Sequence, residues 1–326
     1  MDAIHALMGE PDSQDSGEAA WNQVLPLREQ LGKSGPEAVP AIVSRIENEP
    51  NTRTRAVFVY ALGMIPGEEV DRFLLRLFCF DRTAGHVAGF QLVWRTEHFG
   101  PFTFRVPDEQ MEAMLDMVRD RPAMGAGDPM RILGKCHGNE QAPIAKTVLE
   151  RFLKEVKAPD DLAPVGVSYL SPRTSMLNKF LLAFGHMPEG MVPLLREAHV
   201  TAEREGDREL AKWLLMALGF CGDGGAGDAL REIVLHDTDR YVRCLAIRAY
   251  RRAAGVKAVP VLRPLLEDTT ETEYHADFPP ARLIIQNTAR AMLMSILRES
   301  FGEKEISYEK FEALLDAVER GETPPK

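Results

Sequence analysis

Three glycines are each followed five residues later by a proline in near-identical surroundings: Gly35 before Val39-Pro40-Ala41-Ile42, Gly138 before Ala142-Pro143-Ile144, and Gly255 before Val259-Pro260-Val261-Leu262. A second phrase, a small or apolar pair ending in glycine, recurs between them. It reads Ala61-Leu62-Gly63, Ile132-Leu133-Gly134, Ala183-Phe184-Gly185, Ala217-Leu218-Gly219 and Ala253-Ala254-Gly255. These glycines stand 71, 51, 34 and 36 residues apart; the first interval is two periods of about 35 residues and the second is one period with an insertion. A repeat of that length is a single supersecondary unit that cannot bury its own apolar face, so successive units must stack.

The stacked elements read as helices. Apolar positions recur at helical spacing over 39–46, 54–64, 68–78, 108–118, 142–156, 174–185, 207–219, 228–235, 240–254 and 281–297. Pro40 falls in the first turn of its helix, where a missing N–H costs nothing. The expected fold is all-α, a right-handed α-solenoid of stacked helix pairs with two loop insertions. Its domain plan is a flexible N-terminus over 1–17, the repeat array over 18–300, a capping helix over 301–320 and a disordered tail over 321–326. The pattern breaks near 97–107, where Phe99, Phe102, Phe104 and Val106 sit among Gly100, Pro101 and Pro107. That reads as an extended segment or short strand whose aromatic side chains pack on neighbouring helices, or as a partner-binding loop. Proline-rich 158–173 and acidic 269–280 read as the insertions.

One segment carries a family resemblance. Asp237 and Asp239 stand in a turn, Val242-Arg243 opens a helix, and Ala246 and Ala249 supply small residues on its packing face. This resembles a HEAT repeat of the short bacterial kind, also seen in phycobilin-lyase-type repeats and grouped with armadillo-like helical folds. Residues 39–63 are similar, with Arg55-Ala56-Val57 in place of the Val-Arg order. The resemblance implies that second helices line a concave surface open to a partner. It also implies an alternative role as a phycobilin-lyase-like protein or a cofactor chaperone.

Chemical motifs are few. Gly222-Asp223-Gly224-Gly225-Ala226-Gly227 has the spacing of a dinucleotide loop, but that loop must follow a strand and here a helix precedes it. It reads as an inter-repeat turn with Asp228 as N-cap, and Ser307-Tyr308-Glu309-Lys310 likewise as the capped start of a last helix. No two histidines stand three or four apart, and no His-Glu dipeptide exists. Cys79, Cys136, Cys221 and Cys244 form no C-x-x-C pair and read as reduced, buried packing residues. No catalytic residue, cofactor site or metal site is expected, and the chain is expected not to be an enzyme.

Charge adds one candidate surface. The net charge is −10, which disfavours a nucleic-acid partner. No apolar run is long enough to span a bilayer, and the N-terminus lacks the features of an export signal, so a cytoplasmic location is expected. Yet 240–263 holds seven basic residues and no acid. Arg240, Arg243, Arg248, Arg251 and Arg252 form a stripe on one helix, facing away from Val242, Leu245, Ala246 and Ala249. The expectation is a non-catalytic protein-interaction scaffold, with these five arginines meeting an acidic segment of a partner. The chain's own acids at 267–277 are the alternative mate.

Overall fold

Glycine, a short 3-10 turn, then a helix with proline in its first turn: this is how the Gly–Pro phrase folds. Gly35 takes φ 82°, Pro36–Ala38 form the turn, and α1 runs Val39–Asn48 with Pro40 at its start. Gly255 takes φ 56°, Gly255–Ala258 form the turn, and the short α13 (Val259–Leu262) begins with Pro260. Glycine is needed at both positions because the left-handed region is costly for any residue with a Cβ. Gly138 lies outside the described residues. The computed structural model describes residues 30, 33–121, 127–136, 141–157, 172–268, 284–302 and 305–322. The expected flexible start (1–17), the whole of the acidic insertion and nearly all of the proline-rich one fall outside them.

The described residues are predominantly helical and contain no strand. They divide into two compact units, 1–140 and 141–326. In the first, α1 packs on α2 (Thr52–Gly63), α3 (Glu68–Phe80) on α4 (Gly85–His98), and α5 (Asp108–Asp120) on α6 (Gly127–Leu133). The second helix of each pair also touches the next: α2 meets α4, and α4 meets α6. The second unit repeats the scheme. There α7 (Gln141–Lys157) packs on α8 (Pro172–Phe184), α9 (Pro188–Glu205) on α10 (Arg208–Phe220), and α11 (Gly227–His236) on α12 (Arg240–Ala254). α13, extended by a 3-10 turn over Arg263–Glu267, packs with α14 (Ile284–Phe301). The last helix, α15 (Tyr308–Glu319), covers both. The second helices α8, α10, α12 and α14 again touch in sequence.

Local chemistry accounts for the boundaries. Asn51, Asp207 and Asp239 cap α2, α10 and α12 by accepting from backbone amides of the first turn. Ser307 caps α15, as its sequence position predicts. Asp228 does not cap α11; it lies in that helix's first turn. Asp223, five residues earlier, instead caps the 3-10 turn over Gly224–Ala226 that precedes the helix, receiving the Gly225 amide. The Gly222–Gly227 run thus follows helix α10 and is an inter-helix turn. In the core of the first unit Ile42, Ile46, Phe58, Leu62, Leu74 and Leu92 are fully buried. In the second, Phe152 of α7 stands 5.7 Å from Phe180 and 5.2 Å from Phe184 of α8, ring centre to ring centre.

The irregular run is 99–107, since residues 97 and 98 still belong to α4. It makes no strand. Its backbone has no neighbouring strand to pair with, and the Phe102 amide donates instead to the Lys135 carbonyl just past α6. Phe102, Phe104 and Val106 are buried, the two rings stacked 5.4 Å apart. Arg72 lies over Phe104 at 4.1 Å, and the Thr103 hydroxyl donates to Glu68. The segment is pinned to α3. Phe99 is the exception, 47% exposed.

Candidate partner-binding face

Two arginine devices fix how neighbouring pairs meet. The first sits at the start of second helices. Arg55 donates through Nε to the Ile46 carbonyl nine residues back and pairs with Asp81 at the end of α3. Arg243 does the same with the Val234 carbonyl, also nine back, and with Asp268. Lys212 of α10 reaches Asp237 at 3.2 Å. The second device sits near the end of second helices. The side chain of Arg95 is 1% exposed; it pairs with Asp71 at 2.6 Å and donates to the carbonyls of Gly63, Ile65 and Gly67. Arg252 donates to the carbonyls of Gly185 at 2.9 Å and Phe220 at 3.3 Å. Most of these carbonyls lie at or just past helix C-termini, where C=O groups lack an intrahelical partner, whereas that of Gly67 opens α3.

The recurring glycines serve this contact. A Cβ on Gly63 would strike the Gln91 side chain, and one on Gly185 would strike Arg252. At Gly219 it would come within 2.5 Å of Leu230 and 2.9 Å of Ala249 Cβ. None of the three has a left-handed backbone. They stand where later helices approach too closely for a side chain.

The five arginines of the predicted stripe all lie on α12, and each is half-buried. Arg243 meets Asp268, one of the two mates the sequence leaves open. Arg251 meets Glu299 and the Ser295 hydroxyl of α14. Arg252 is spent on the two carbonyls, and burial followed by the neighbouring Arg251 charge pushes its guanidinium pKa down. Arg248 reaches Asn178 of α8 across 3.4 Å. Arg240 opens the helix after the Asp239 cap and also has a partner. The arginines therefore serve α12's own neighbours on α8, α10 and α14 as well as the loop at Asp268.

A second surface is absent from the sequence reading. On α4, Phe90, Trp94 and His98 are spaced four apart and so share one side of the helix. Phe90 is 53% exposed, Trp94 is half-buried and His98 is exposed. Tyr60 of α2 meets Phe90 edge-on at 6.1 Å; Trp94 stacks on His98 at 4.0 Å and meets Phe99 edge-on at 5.7 Å. The opposite side of α4 carries Leu92, Val93 and the Arg95 network into the core. The result is a row of aromatic side chains on two second helices, in two ring clusters one helical turn apart.

The cysteines are free thiols: Cys136, Cys221 and Cys244 are buried and Cys79 is half-buried. Burial pushes Cys79 and Cys221 up to about 12 and raises Cys136 and Cys244 as well. Among the described residues no three His, Cys, Asp or Glu side chains are arranged to hold a metal ion, and no helix is long and apolar enough to cross a membrane. No protein-family model and no curated protein matches the chain.

Proposed function

We propose that this chain is a non-catalytic interaction scaffold whose HEAT-like helix pairs stack, within each unit, as a right-handed solenoid and hold a partner protein on the face of the second helices. The sequential contacts between second helices and the equivalent Arg55 and Arg243 clamps support the stacking. The observation that carries the function is the aromatic row of Tyr60, Phe90, Trp94, His98 and Phe99. A contiguous exposed apolar surface is rarely kept on a protein that binds nothing, and large rigid aromatic side chains are the usual anchors of protein interfaces. The α12 stripe contributes a second contact for acidic groups. Arg248 contributes there with a single long bond, to Asn178.

Affinity capture from the native source, followed by titration of each purified candidate into the full chain, tests the proposal. A stoichiometric complex with a Kd tighter than about 10 µM, weakened when Phe90 and Trp94 become serine, supports it. Failure of every purified candidate to bind, or turnover of a small molecule by the chain alone, overturns it.

A further inference from the structure

The face formed by α2 and α4 is polar in charge along its length. Arg53 and Tyr60 stand seven apart on α2, two turns, and so share a side. His86 precedes Phe90 by one turn on α4. The Tyr60–Phe90 ring contact lays these two rows against each other. The Arg55–Asp81 pair joins the first turn of α2 to the residue that ends α3, four residues before α4 begins, so both helices start at the same end of the face. At that end Arg53 and His86 are exposed, and neither side chain has a hydrogen-bond or ion-pair partner among the described residues. α2 contains no acid at all. The single acid of α4 is Glu97, at the opposite end beyond Trp94. In a chain of net charge −10 this face is cationic at one end and apolar along the rest.

Resting on the scaffold reading, we propose that this face takes a short linear protein segment whose apolar side chains lie over Phe90 and Trp94 and whose acidic residues lie beside Arg53 and His86. Arg53 supplies a planar fork matched to a carboxylate, and the His86 ring supplies a hydrogen-bond donor. The stretch from His86 to His98 covers about 18 Å of helix, the reach of about six extended residues. A protein segment fits better than a single-stranded nucleic acid. Bases would stack on these rings, but the phosphates need cations along the whole track, and here the exposed arginine, Arg53, stands at one end only.

A displayed library of random peptides, selected against the full chain, tests this, with each winner resynthesised and titrated by fluorescence anisotropy. The winners should carry two aromatic or aliphatic residues flanked on one side by Asp or Glu. Phe90→Ser should weaken them at least about tenfold, and Arg53→Glu should weaken them several-fold with a loss of salt dependence. Neither change should move the melting temperature, since both side chains are exposed and that of Arg53 has no bond partner among the described residues. Basic winners overturn the proposal, as does tighter binding of an oligothymidylate control than of any peptide, and so does a selection that yields no winner. Acidic–apolar winners that bind both variants as well as the parent place the peptide elsewhere: they overturn this site and leave the scaffold reading standing. Failure of every purified partner to bind the chain strikes at the scaffold reading itself.

Discussion

Arg95 is a charged side chain with almost no contact with water, held by one carboxylate and three carbonyls. Such an arrangement is tolerable only while every donor is used, because a buried charge stripped of partners costs more than the pair ever gains. Methionine at position 95 fills a similar volume but leaves Asp71 and the 63–67 carbonyls without their donor. Arg95→Met should therefore cost about 3 kcal/mol, read as a lower urea midpoint with an unchanged slope. The thiols give a second expectation at this scale. Burial holds them protonated, and a protonated, covered thiol is a poor nucleophile. At pH 8 the folded chain should react with Ellman's reagent slowly at all four positions, and in guanidinium all four should react at once. A fast-reacting thiol in the folded chain would contradict the packing of Cys136, Cys221 or Cys244.

The helix pairs owe their spacing to positions where a side chain is missing. Gly219 is where α10 meets the backbone of α12: an added Cβ would lie 3.0 Å from the Ala249 carbonyl oxygen. Backbone cannot rotate out of the way as a long side chain can. Gly219→Ala should destabilise the second unit by about 1–3 kcal/mol, whereas alanine at Gly227, with open space around it, should be neutral. The stripe on α12 makes an opposing prediction to a purely solvated face. Arg243→Glu removes the bonds to Val234 and Asp268 and sets a like charge beside Asp268, and Arg251→Glu does the same beside Glu299. The double change should lower the melting temperature by several degrees, on the scale of about 2–4 °C per kcal/mol for a unit of this size. An unchanged melting temperature would show that these pairs contribute nothing to the fold.

For the molecule as a whole, acid is the sensitive side. The Arg196 hydrogen bond, ahead of all other influences, holds Asp223 below its ordinary value. Burial pushes Asp81 up, but the Ala84 and Thr83 bonds and the Arg55 charge outweigh it, so it too titrates low. A carboxylate depressed in the folded state stabilises the fold above its unfolded value of about 3.9. That contribution is lost as pH falls through the folded value. Chemical melts across the acid range should show stability level near neutrality and falling below about pH 4. Asp223→Asn should lower the plateau and flatten the fall.

Much of this organisation is legible in the sequence, because glycine, proline and capping residues act over a few residues and leave a local mark. The all-helical class and the helical course of 228–235 and 240–254 follow from that punctuation. The glycine phrase is visible as well, though not its cause, since the clash at Gly185 involves an arginine 67 residues away. The aromatic row escapes for a different reason. α4 reads Phe90-Gln91-Leu92-Val93-Trp94, apolar on nearly every side, so its own periodicity does not show which side neighbours leave uncovered. Scarcity of acids does not mark it either: α2 and α4 hold one acid between them, but α8 and α12 hold none.

Arrays of repeats are usually described as chains of nearest neighbours, each unit feeling only the one before and the one after. Arg252 and Arg248 do not respect that rule. From α12 they reach past α10 to Gly185 and Asn178 of α8. The range of coupling in this half is thus three consecutive pairs rather than two, so its energetics need a next-nearest-neighbour term. Excising the middle pair would not simply shorten the array by one step: it would alter the distance that two arginines on α12 must span, and with it the cooperativity of everything from α8 to α14.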